Sequence, residues 1–178
     1  MWGIVVLMAD DLTGSETGRM IAFLREIGIP VDIATLPVDG FLPGIVVDRG
    51  RLVVDLARLR YPGDLLHEGG HIALVEPALR PLLGTDVNLP GLDMTRLENA
   101  VVPWSYAAAR HLGIDPVVVF HDGGYRGQAR GLLTTFAVGV YPGVPMLEEL
   151  GLTASPARAA ELGVAPYPHM LRWLRDAP

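Results

Sequence analysis

Five consecutive residues, His67-Glu68-Gly69-Gly70-His71 within "DLLHEGGHIAL", fit the pattern H-E-x-x-H. On a helix, residues four apart lie on one face, about 40° apart around the axis. His67 and His71 can therefore turn both imidazoles toward one tetrahedral metal ion. Glu68 is rotated about 100° from His67, so its carboxylate reaches a water at the metal rather than the metal itself. From there it can take a proton from that water and pass it to a leaving amine. The chemistry is that of zinc-dependent hydrolysis, with His67 and His71 as metal ligands and Glu68 as general base. The two glycines oppose it locally: each lowers helix stability by about 1 kcal/mol relative to Ala. They also leave room for a neighbouring element to approach the helix closely.

A third ligand is required. The three-histidine form of the motif needs His at position 77, where this chain has Pro77. Glu76 is rotated about 140° from His71 and faces away. Glu98, in "RLENAVVPWSYAAA", stands near the start of a long apolar helix. If that helix packs against the motif helix, its carboxylate completes a His, His, Glu set. The plainer role for Glu98 is to complement the helix dipole, and Asp93 and His111 are competing ligands. "VVVFHDGGYRG" places His121, Asp122 and Tyr125 in a Gly-rich loop. His121 and Tyr125 are candidate catalytic residues there, as donors to the oxyanion that forms when hydroxide attacks a carbonyl. The alternative is a turn whose polar groups satisfy their own backbone. Asp64 suits a helix N-cap equally with an acceptor that orients His67. His169 reads as a cap or surface residue, and Trp104, Tyr106 and Trp173 as core or interface.

These residues must be positioned by elements whose signals run along the whole chain. "GSETGRMIAFLREIG" predicts a helix capped by Ser15 and stopped by Gly28, with an apolar stripe of Met20, Ile21, Phe23, Leu24 and Ile27. "IPVDIATL" predicts a short strand. "PGIVVDRGRLVVDL" predicts a hairpin turning at Asp48-Arg49-Gly50, where Gly50 supplies the positive φ. The motif helix begins at Asp64 and must stop by Pro77. "MTRLENAVVPWSYAAARHLG" predicts a long helix kinked or broken at Pro103 and ended by Gly113. "RGQARGLLTTFAVG" predicts a further helix, and "SPARAAELG" and "YPHMLRWLRD" two short ones. The expected fold class is α+β: a small N-terminal sheet packed on the motif helix, then a largely helical C-terminal half. Residues 1 to about 15 read as a strand or a loose arm.

With the hairpin, the capped motif helix and the following glutamate-led helix in hand, the chain resembles the minimal zincins of the ImmA/IrrE type. The matching pieces are "GIVVDRGRLVVDLARLRYPGDLLHEGGH" and "LENAVVPWSYAAA", and the likeness covers roughly Pro43 to Arg110. The resemblance implies a zincin-like, gluzincin-type fold and zinc hydrolysis of peptides, with His67, His71 and Glu98 as ligands and Glu68 as base. It does not extend to the C-terminal third, and no helix-turn-helix pattern is visible.

Composition bounds the rest. At 178 residues the chain fits a single domain, residues 1–178, able to bury roughly 70% of its unfolded surface. Half the residues are hydrophobic and 19% are charged, a balance that favours a homo-oligomer or a protein partner. A net charge of −6 with scattered basic residues argues against nucleic acid and anionic membrane as partners. There is no cysteine, so a metal site must use His and carboxylates. The apolar run Trp2 to Ala9 lacks a basic flank and is too short to span a bilayer, which points to a cytoplasmic protein. Three readings follow: a zinc peptidase or amidase, a non-catalytic zinc protein, and a globular domain with an accidental motif. Glu68 favours the first over the second, because a purely structural site has no use for a base.

Overall fold

The computed structural model describes residues 12, 14–36, 42–84 and 93–176; the run Trp2 to Ala9 lies outside them. Ser15 caps helix α1 (Glu16–Glu26), its hydroxyl accepting from the Gly18 amide at 3.0 Å. Met20, Ile21, Phe23 and Leu24 form the buried stripe. Three strands follow: β1 (Val31–Ile33), β2 (Ile45–Asp48) and β3 (Arg51–Val54). They make one mixed sheet in the order β1-β3-β2. β1 runs parallel to β3 with Val31 opposite Leu52, and β2 runs antiparallel to β3 with Ile45 opposite Val54. The hairpin closes tighter than the sequence suggests. Asp48 pairs with Arg51, so the loop is Arg49-Gly50 alone. Both residues are left-handed, at φ 49° and 75°, which a two-residue turn of matching twist requires.

Five more α-helices follow among the described residues: α2 (Asp64–Leu74), α3 (Met94–His111), α4 (Ala129–Ala137), α5 (Val144–Glu149) and α6 (Pro156–Leu162). The class is α+β, with the sheet in the N-terminal half. Among the described residues no helix is long and apolar enough to cross a membrane. The core gathers around α2, whose Leu65, Leu66, Ile72 and Ala73 are buried. It packs on β2 and β3, on α1 and on α3.

Three local expectations change, and one helix is added. Asp64 is the first helical residue of α2 and Gly63 stands at the cap, because the Asp64 carboxylate accepts from His121 instead of from its own helix. Pro103 does not break α3, which is continuous from Met94 to His111. Proline deprives only the Asn99 carbonyl of its helical donor. Gly143 lies against that carbonyl so closely that no side chain would fit there, and the Tyr167 hydroxyl donates to the Pro103 carbonyl at 2.8 Å. "YPHMLRWLRD" forms no helix. Its amides pair with another segment, Tyr167 with Ala154 and Leu171 with Leu152. Helix α5, opened by Pro145, was not anticipated.

Candidate metal centre

His67 and His71 stand one turn apart on α2, their rings edge to face with centroids 5.0 Å apart. Glu98, one turn into α3, bridges them. Its Oε1 lies 3.3 Å from His67 Nε2 and its Oε2 3.2 Å from His71 Nε2. One ligand atom from each of the three residues falls within 4.8 Å of the other two. The glycine pair makes this possible. A Cβ on Gly69 would meet Leu24 Cδ2 of α1 at 2.5 Å, and one on Gly70 would meet Trp104 and Val101 of α3 at 3.1 Å. Both helices that flank α2 therefore seat directly on its backbone, and α3 brings Glu98 over the two histidines.

The competing ligands are held elsewhere. Asp93 caps α3 by accepting from the Arg96 amide at 2.9 Å. Glu76 accepts from Arg175 Nη2 at 2.6 Å. His111 packs between Phe23 and Trp173, with centroids at 5.7 and 5.3 Å.

The Gly-rich loop does reach the site, but in a different relation from the one expected. The Tyr125 hydroxyl is hydrogen-bonded to His67 Nδ1 at 3.2 Å, on the far side of the ring from the nitrogen that faces Glu98. His121 Nε2 bonds to Asp64 Oδ1 at 2.8 Å, and its ring stacks on Tyr61 with centroids 4.0 Å apart. In this structure both side chains contact residues of α2, His121 through Asp64 and Tyr125 through His67. Asp122 is exposed. Tyr61 carried no signal in the sequence beyond its place just before α2, and the Asp64–His121 pair joins residues too far apart in the chain to be read together.

Three carboxylates, Asp64, Glu68 and Glu98, set the electrostatics. Burial of His67 works against its charged form, yet the bond to Glu98 and the charges of Glu68, Glu98 and Asp64 outweigh it, so its pKa rises above the ordinary 6.5. Burial also opposes ionisation of Glu98, but bonds from both histidines prevail and hold it well below the usual carboxylate range. Glu68 moves the other way. Burial pushes its pKa up, His71 and His67 pull it back in part, and Asp64 and Glu98 add to the rise. Burial first, then the same three carboxylates, keep the Tyr125 phenol protonated.

Two imidazole nitrogens and a carboxylate at these separations fit one zinc-like ion at roughly 2.0–2.2 Å from each. The excess of negative charge favours a cation, and a partner on the outer nitrogen of a ligating histidine is the usual second contact. His67 has that partner in Tyr125; the buried His71 Nδ1 has none among the described residues. No protein-family model, curated protein or solved structure matches this chain, and the reading of its function rests on the geometry of this site.

Proposed function

We propose that this chain is a zinc-dependent hydrolase of the gluzincin type, acting on peptide or protein substrates. The observation that carries the reading is the convergence of His67 Nε2, His71 Nε2 and the Glu98 carboxylate from two packed helices. Among the described residues that donor group numbers three, the complement of catalytic zinc sites, whereas structural sites close with four protein ligands. The Glu98 side chain is 49% exposed, which leaves an approach from solvent. The β2–β3 hairpin directly before α2, with α3 laid across it, supports a zincin-like fold.

A bound zinc ion supplies Lewis acidity, polarising a substrate carbonyl and making water easier to deprotonate near neutral pH. The protein supplies the rest. Glu68 follows His67 on α2 but lies off the ligand face, and no described residue donates a hydrogen bond to it. Its half-buried carboxylate, with a raised proton affinity, accepts a proton from the attacking water as the water oxygen bonds to the carbonyl carbon. The same carboxyl then returns the proton to the amine nitrogen as the C–N bond breaks. Asp64 and Tyr125 hold the first turn of α2 and the His67 ring in place through the loop that carries His121.

The test is zinc analysis of purified protein combined with a mixed peptide library scored by mass spectrometry. The expected result is about one zinc per chain and cleavage that depends on it. Absence of both bound metal and uptake of added zinc would overturn the proposal.

A further inference from the structure

Tyr125 sits in an unusual backbone. It and Arg126 are non-glycine residues with φ 54° and 51°, followed by Gly127 at φ 78°. Side chains disfavour that left-handed region, and such conformations persist only where surrounding contacts over-determine them. The contacts are visible. The Tyr125 ring packs edge to face on Phe120 and on His67, with centroids at 5.1 and 5.5 Å. One helical turn before His67, His121 from the same loop bonds to Asp64. The loop is thus pinned to α2 at two points, Asp64 and His67, three residues apart.

The identity of the group at His67 matters as much as its place. With the ring neutral and its Nε2 donating to Glu98, Nδ1 is a bare acceptor and needs a donor. With Nε2 bound to a metal, the ring proton moves to Nδ1, which then needs an acceptor. A carboxylate or a backbone carbonyl serves only the second state. A phenol hydroxyl donates and accepts, so it serves both.

We propose that Tyr125 is a positioning residue whose hydroxyl holds His67 Nδ1 in both states of the site, donating to it when the metal-free ring is neutral, as at mildly alkaline pH, and accepting from it when zinc is bound. The proposal rests on the zinc reading above for its second half and on the observed contact for its first.

The experiment compares wild type with Tyr125→Phe, which keeps the ring packing and the Asp64–His121 anchor and deletes only the hydroxyl. Zinc affinity is measured by chelator competition, and the His67 ring nitrogens are followed by NMR at mildly alkaline pH with and without zinc. Tyr125→Phe is expected to bind zinc about 10–100-fold more weakly. Its Nδ1 resonance should move in the metal-free protein, and its Nδ1 proton should exchange faster in the zinc form. Unchanged affinity with unchanged ring signals would overturn the proposal. If Tyr125→Phe does not fold, the wild-type zinc form decides alone: a slowly exchanging Nδ1 proton supports the contact and a rapidly exchanging one overturns it. Failure of the wild type to take up zinc would sink the hydrolase reading and the accepting role together. An unmoved metal-free Nδ1 signal with zinc binding intact would overturn the donating role alone, so the two failures are distinct.

Discussion

Gly70 of α2 lies against the ring of Trp104 in α3, so near that an added Cβ would stand 3.1 Å from Trp104 Cε3. Trp104 is fully buried and its indole N–H donates to the Trp173 carbonyl at 3.0 Å, so the ring has little freedom to retreat. This contact sets the separation of the two helices and hence the height of Glu98 over His67 and His71. Gly70→Ala should recover about 1 kcal/mol of helix propensity but incur about 1–3 kcal/mol of overpacking. The expected outcome is a modest fall in thermal stability with a larger loss of zinc affinity, measured on the same sample. An unchanged zinc affinity would mean that α3 tolerates the added methyl without moving Glu98.

Glu98 and Asp93 separate cleanly by substitution. Glu98→Ala removes a ligand and should abolish tight zinc binding while the chain stays folded. Asp93→Ala removes the cap of α3 and should cost about 0.5–2 kcal/mol of stability, with the metal retained. Chemical denaturation and zinc titration of both variants check the pair; loss of zinc in Asp93→Ala alone would reverse the assignment.

Glu68→Gln preserves size and polarity but cannot take a proton. The variant should fold, bind zinc as the wild type does and hydrolyse peptides about 10²–10⁴-fold more slowly. His67→Ala should lose zinc and activity together. Equal cleavage by wild type and Glu68→Gln would remove Glu68 from the role of base. Tight zinc binding with no cleavage by either would favour a structural zinc site.

His67 and Glu98 should give the metal-free protein a pH optimum of stability, against which Glu68, its pKa raised from 4.5 by burial, subtracts as pH climbs. The folded pKa of His67 is raised above 6.5, so its contribution is complete below that value and is lost as pH climbs through the folded one. The folded pKa of Glu98 is depressed from 4.5, so its contribution is present above that value and is lost as pH falls toward the folded one. Both are in place between about 4.5 and 6.5. Melting temperature against pH should peak in that window and flatten in Glu98→Ala; coincident curves for the two proteins would refute the coupling.

What the sequence determined by itself was local. The spacing of His67 and His71 is a property of helical periodicity, and Ser15, Gly28 and the alternating runs around Asp48 to Arg51 declare their turns and caps through nearest-neighbour chemistry. The α+β class and the hairpin-before-helix order follow from the same signals. Tertiary structure decided everything that depends on two distant segments meeting. Whether Glu98, Asp93 or His111 faced the histidines depended on how α3 lies on α2, which Gly70, Val101 and Trp104 set by close packing. Asp64 reads as a cap until His121 arrives from the far loop to claim its carboxylate, and Tyr125 reads as a turn residue until its hydroxyl is seen on His67 Nδ1. Pro103 reads as a kink or a break because local rules count its lost hydrogen bond; they do not count Gly143 and Tyr167, which pack against α3 at the affected turn. The C-terminal "YPHMLRWLRD" fails as a helix for the related reason that its amides find partners in Leu152 and Ala154, a long-range pairing that no short window of sequence contains.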